Sequence, residues 1–300
     1  MTIRITDLHQ NQARARWISD NRSRSALLER NIATGKAIHQ ASEDPAASTR
    51  LMRHDLRLQR VDQYDRNIGN AKLWLGSADH ALQSASTNLS RAKSLAVQAG
   101  NSFTDADTRA AISADIRAIR SEMLVIANSQ AAGRMIFAGT ANVVEAYDAA
   151  GAYQGDMGLV LRDVDVGETV DVSAPGPTVF GVANPGDPLN GTAFEMLDQL
   201  AADIDANNTA GVRDGIEAVD AAALRISSVV GRIGARTQQL DAAEIRQGGE
   251  RENVEARASA LRDTDVVEAI VQLRAAQASY EASLSATTRA ISRSLLDFLN

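Results

Sequence analysis

The sequence predicts a mainly α-helical protein with a β-rich domain inserted between helices, its long N- and C-terminal helices packed as a coiled-coil rod. Three observations lead there. Hydrophobic residues make up 44% of the 300 residues but aromatics only 4%, so alanine supplies much of the apolar count. Such a composition suits long helices in close contact better than one globular core. Second, a seam recurs at alternating steps of four and three near the C-terminus: Val266, Ile270, Leu273, Gln277, Tyr280, Leu284, Thr287, Ile291, Ser294, Phe298. That spacing belongs to a helix with a partner helix along its length. Third, the chain changes character between Gly133 and Gly191. This stretch holds four of the five prolines and half of the 20 glycines.

Taken in order, residues 7 to about 33 read as a helix, with Leu8, Ala15, Ile18, Leu28 and Ile32 near one face and Asp7 able to cap its start. Thr34-Gly35 ends it, since glycine accepts the left-handed conformation of a helix C-cap. A second long helix runs from Pro45 to about Gln98, with Asp44 as its cap and proline in the first turn. A third starts at Thr104 or Asp105 and runs to about Ala132, through Ile112, Ile116, Ile119 and Met123. Alternating runs at 159–164 and 169–172 then read as short strands between turns. Helical pattern resumes at 193–205 and at 208–247. Gly248-Gly249 predicts a break, and Asp263-Thr264-Asp265 a restart of the last helix. The predicted division is three-part: 1–45 with 255–300 as a terminal coiled-coil domain, 46–133 with 193–254 as a helical rod domain, and 134–192 as a β-rich outer domain.

Several functions are disfavoured. The formal net charge of -7 and a pI near 5.2 argue against nucleic acid or an anionic membrane surface as partner. Cysteine is absent, which removes disulfides, thiolate nucleophiles and cysteine metal ligands together. No run of 18 apolar residues predicts a membrane span, and the first residues lack the pattern of a cleavable signal peptide. Thr34-Gly35-Lys36 is no phosphate loop, because Arg30 and Ala37 stand where that motif needs Gly and Ser or Thr. His9, His39, His54 and His80 are scattered, without an i, i+4 partner. Asp203, Asp205, Asp214, Glu217 and Asp220 lack the spacing of a calcium loop and read as a solvated helical face. No nucleophile elbow supports a Ser/His/Asp site. The expectation is therefore a non-enzyme with no catalytic residue, no metal and no cofactor.

Two sets of motifs carry a resemblance. Ile32-Ala33-Thr34-Gly35-Lys36 and then Ser42-Glu43-Asp44-Pro45-Ala46-Ala47 resemble the N-terminal "STGK … SDDPA" signature of the flagellin superfamily. Gly133-Arg134-Met135-Ile136-Phe137-Ala138-Gly139-Thr140, preceded by Asn128-Ser129, resembles a "G-x-Y-I-F-A-G" segment, with Met135 where tyrosine is usual. Tyr153-Gln154-Gly155-Asp156 is similar to a "Y-x-G-D" element. Asp263-Thr264-Asp265, Glu268-Ala269 and 278–284 are similar to the C-terminal helix of the same superfamily. The Asp-Pro-Ala version lies closer to the hook–filament junction members than to flagellin itself, while Leu295-Leu296-Asp297-Phe298-Leu299 is flagellin-like.

The resemblance implies a structural subunit of the bacterial flagellum, extracellular, exported through the flagellar type III apparatus without signal cleavage. It implies copies of itself in a ring or helical layer, a hook-side hook-associated protein, flagellin, and an export chaperone on the C-terminal helix as partners. The residues expected at assembly contacts are Leu8, Ile18, Leu28 and Ile32 at one end, and Ile270, Leu273, Tyr280, Leu284, Ile291, Leu295 and Phe298 at the other. The seam is thin, interrupted by Gln277, Thr287 and Ser294, and each buried CH₂ contributes only about 0.8 kcal/mol. Neighbouring subunits are thus expected to complete it, ordering the ends on assembly. Alternative readings are flagellin, the bulk filament subunit, or a coiled-coil adhesin or signalling module.

Overall fold

The computed structural model describes residues 3–100 and 105–299, with the side chains of 3–8, 10, 11, 14 and 289–299 outside that description. The elements in order are α1 (Ile3–Thr34), α2 (Pro45–Ala99), α3 (Ala106–Ala127), β1 (Gln130–Ala131), β2 (Arg134–Met135), β3 (Leu161–Asp165), β4 (Glu168–Asp171), α4 (Gly176–Phe180), α5 (Ala193–Asp205), α6 (Thr209–Arg262) and α7 (Val266–Leu299). The protein is mainly helical, with long terminal helices and a small β region in the middle. The strands pair as two antiparallel hairpins, β1 with β2 and β3 with β4. Most of 134–192 is irregular chain between them. The molecule divides into two compact units, Met1–Gln59 with Arg251–Asn300, and Arg60–Glu250; α2 and α6 contribute to both.

The second unit holds the large core. Along α2 one buried stripe runs Ile68, Ala71, Leu75, Ala78, Leu82, Ala85, Leu89, Ala92, Ala96 and Ala99. The steps of three and four give a seven-residue repeat, a large residue alternating with an alanine from Ile68 to Ala92, with alanines alone at Ala96 and Ala99. On α6, Val219, Ala222, Ile226, Val229 and Ile233 follow the same steps, and α3 adds Ile112, Ile116, Ile119 and Met123. Lys72 bridges α2 to Asp241 and Glu244 of α6, each at 2.6 Å, and Lys93 meets Asp220 at 2.7 Å. α3 packs on α5. A capping box holds the start of α5: Thr192 Oγ1 accepts from the Glu195 N–H, and the Glu195 carboxylate accepts from the Thr192 N–H. Beyond the helices, Phe137, Tyr147, Phe180 and Phe194 form one buried aromatic cluster with ring centroids 5.0 to 5.7 Å apart.

Four local expectations are corrected. α1 begins at Ile3, so Asp7 lies inside the helix and not at its cap. α3 ends at Ala127, short of Ala132, because Asn128 spends its side chain on a neighbouring segment: its Nδ2 donates to Tyr147 O (2.8 Å) and its Oδ1 accepts from Tyr147 N (2.9 Å). Asp105 does cap α3, accepting from the Thr108 N–H, while Thr104 lies outside the described residues. α6 runs unbroken through Gly248-Gly249. Each glycine costs about 1 kcal/mol in a helix, but tertiary contacts before the pair hold the helix in register. Leu240 and Ala243 are buried, and Gln247 Nε2 donates to Val164 O at 3.0 Å. The acidic residues of 203–220 are not all solvated. Asp203 is buried and accepts from Gln199 and Asn208, Asp205 accepts from Ser113 and pairs with Arg117, and Asp220 pairs with Lys93. Asp205, Asp214 and Glu217 of that set are exposed, and Asp220 is half-buried.

Candidate assembly surface

The first unit is built by α1 and α7, which pack on each other. Its apolar cluster is small: Leu28, Ala269 and Ala276 are buried, with Ile32 and Leu273 packed against them. On α1 the covered face runs Ile18, Asn21, Ser25, Leu28, Ile32. On α7 it runs Ala269, Leu273, Ala276, Tyr280, Ser283, Thr287. This shares Leu273, Tyr280 and Thr287 with the seam read from the sequence. The alternate positions are shifted by one residue, from Ile270, Gln277 and Leu284 to the small Ala269, Ala276 and Ser283. Small residues admit a close approach of the two helices, and the bulky ones are left outward.

Several apolar side chains accordingly stand on the outward side. Ile270 is 38% exposed, Leu284 41%, Val267 75% and Trp17 54%, with Leu27, Val266 and Val271 also exposed. Trp17, Ala13, Ser283, Ala286 and Thr287 line a groove of about 360 Å³ between the two helices. Of the residues expected at assembly contacts, Leu28 is buried and Ile18, Ile32, Leu273 and Tyr280 are half-buried within the chain. Ile270 and Leu284 stand free. The side chains of Leu8, Ile291, Leu295 and Phe298 lie outside the described residues. Sequence reasoning missed Trp17, Leu27, Val267 and Val271. The doublets Val266-Val267 and Ile270-Val271 were the available signal, since adjacent apolar residues on a helix widen the stripe past one seam.

The two terminal motifs meet. Gly35, at φ +70, ends α1 and turns the chain back. Gly35 O accepts from Thr264 N at 2.9 Å, and Ala37 N donates to Arg262 O at 2.7 Å, so the N-terminal loop is stitched to the turn between α6 and α7. Inside the loop Glu43 accepts from the His39 N–H at 2.8 Å and pairs with Arg30 at 2.5 Å. The His39 backbone N–H, and then Arg30, hold the Glu43 carboxyl below its ordinary range. The buried Asn31 amide is oriented to donate to Leu27 O, Lys36 O and His39 Nε2 at 2.9 to 3.2 Å. Asp44 caps α2 through Ala47 N, and Asp265 caps α7 through Val267 N and Glu268 N. Asp263 is held low by the Ser259 side chain and Arg262. The Thr34-Gly35-Lys36 segment is thus a helix end and a clasp.

The central motifs are a second clasp, in the other unit. Asp156 Oδ1 accepts from Thr140 N (2.7 Å) and Gly158 N (2.9 Å), its Oδ2 from the Thr140 hydroxyl (2.8 Å), and its N–H donates to Ala138 O (3.0 Å). The Thr140 hydroxyl, first among these donors, lowers the Asp156 carboxyl. The Tyr153 hydroxyl lies 2.6 Å from Asp156 O, and burial pushes it up to about 12, so it stays a donor. Gly139 sits at φ +70 with Asp156 O 2.3 Å from where a Cβ would stand. Among the described residues no group of three or more His, Asp or Glu could hold a metal, and no helix is long and apolar enough to cross a membrane.

Residues 5–142 match the bacterial flagellin N-terminal helical region, and residues 216–299 match the bacterial flagellin C-terminal helical region. The chain belongs to the flagellin superfamily. Two curated relatives carry the name flagellar hook-associated protein 3. One, from Salmonella typhimurium, is 28% identical over 54% of this chain and 52% of its own length. The other, from Escherichia coli, is 26% identical over 64% of this chain and 63% of its own length. The chain thus spans between half and two thirds of the curated relatives it matches. A crystal structure of the flagellar junction protein FlgL from Legionella pneumophila shares the fold, at a TM-score of 0.58 and 16% identity, over 71% of this chain and 99% of that one. In this flagellin-superfamily chain the terminal helix pair and the first clasp lie within the two family regions, and the Thr140–Asp156 clasp straddles the end of the first.

Proposed function

We propose that this protein is a structural, non-catalytic subunit of the bacterial flagellum that joins hook to filament. The observation that carries the reading is the terminal pair. Five residues make its apolar cluster, while Trp17, Leu27, Val267, Ile270, Val271 and Leu284 stay exposed beside it. Each of the larger side chains gains about 1.5–3 kcal/mol on full burial, so neighbouring copies bearing the same face stabilise the pair by covering it. The hook-associated and junction names of the relatives support the place in the flagellum. On this reading 1–45 with 255–300 is the inner domain that touches other subunits, 46–133 with 193–254 is a helical rod, and 134–192 faces outward. The partners are copies of this chain, a hook-side hook-associated protein, flagellin, and an export chaperone on α7; the protein leaves the cell without signal cleavage.

Electron microscopy and motility of a strain lacking the gene test the role. Hooks without filaments, with flagellin shed into the medium, are expected. Hooks bearing normal filaments would overturn the junction assignment and favour a flagellin among several.

A further inference from the structure

We propose that a cleft beside α2, in the second unit, binds a carboxylate. The cleft has a volume of about 640 Å³ and is lined by Asn67, Asn70, Leu73, Trp74, Ser77, Ala131, Ala132, Arg134 and Arg162. That volume lies in the range of small-ligand sites. Two arginines line it and no acidic residue does. Arg134 Nη2 donates only to the backbone oxygen of Thr140 (3.2 Å), and Arg162 Nη1 only to that of Leu161 (3.3 Å); among the described residues neither meets a carboxylate. In a chain with 38 acidic and 31 basic residues, two arginines without acidic partners in one concavity are out of the ordinary.

A second observation is independent of charge. Trp74 is 6% exposed, and its indole N–H is buried without an acceptor. A buried donor left unmade costs about 1–3 kcal/mol, and a ligand oxygen that reached the indole edge would remove that cost. Arginine offers a planar fork of donors that matches a carboxylate, and the amide of Asn70 adds a neutral donor. The chemistry recognised is a carboxylate, supplied either by an acidic side chain of a second copy of this chain or by a free dicarboxylate.

The chain has two tryptophans, so a Trp17→Phe variant of the full chain reports on Trp74 alone. Its emission is followed against protein concentration and, separately, against sodium glutarate, with sodium chloride at matched ionic strength. The expected result is a saturable change in one arm. A concentration-dependent change that glutarate reverses assigns the carboxylate to a second copy; a glutarate response at all concentrations assigns it to a free ligand. Arg134→Gln with Arg162→Gln is expected to weaken the response at least about tenfold, as loss of one charged hydrogen bond would. Asn70→Asp, which keeps both arginines, is expected to weaken it by placing a competing carboxylate at the cleft. No saturable change in either arm, an equal response to chloride, or an unchanged response in the double-arginine variant would overturn the site.

Discussion

Single residues here do steric and hydrogen-bonding work that periodicity does not announce. Asp156 gathers three donors from Thr140 and Gly158, and Gly139 leaves the space its backbone needs. Gly139→Ala forces a Cβ onto Asp156 O at φ +70, and is expected to cost at least about 1–3 kcal/mol, read as a lower denaturant midpoint with an unchanged slope. Both residues stand in motifs that resemblance singled out, but what those motifs do became visible only with their partners, 16 or more positions away in the chain. Asn31 and Gly35 are of the same kind. Gly35 was legible as a helix end, whereas its carbonyl's bond to Thr264 joins residues over 200 positions apart and has no local signature.

At the scale of elements, what was legible followed from periodicity. The seven-residue repeat of α2 and the isoleucines of α3 give helix and core face together, because a three-four step leaves one solution for which side is buried. Glycine pairs misled. Gly248-Gly249 has the composition of a break, yet α6 passes through it because Gln247 and the buried Leu240 and Ala243 anchor the preceding turns. The seam of α7 was legible in period and at Leu273, Tyr280 and Thr287, but its alternate positions were one residue off, since packing against α1 selects the small Ala269, Ala276 and Ser283 over their bulkier neighbours. Gly69, Gly76 and Gly248 have nothing within 4 Å of a built Cβ. Gly69→Ala, Gly76→Ala and Gly248→Ala are each expected to raise stability by about 0.5–1 kcal/mol, measured by urea unfolding. A loss would mean that these positions pack against something within the folded chain.

For the whole molecule the clasps bring acidity into the account. Glu43, Asp156, Asp205 and Asp263 are all held below their ordinary range by donors present only in the folded state. Carboxylates depressed in this way stabilise the fold above their unfolded value, near 4, and that contribution is lost as pH falls through the folded value. Stability is therefore expected to hold flat from neutral pH to about 5 and to decline below about 4, with amide exchange in 35–44 and 262–266 rising first. A profile that rises on acidification would contradict the bonding described for Glu43 and Asp263.

The central claim is that the exposed face of the terminal pair serves neighbours and not the chain's own fold. Ile270→Asp with Leu284→Asp tests it, because both side chains are exposed in the single chain. The variant is purified for thermal unfolding and, in parallel, expressed in the deletion strain. Near-unchanged unfolding together with normal export and a failure to restore filaments is the predicted result. Filaments restored to the wild-type level would contradict the account.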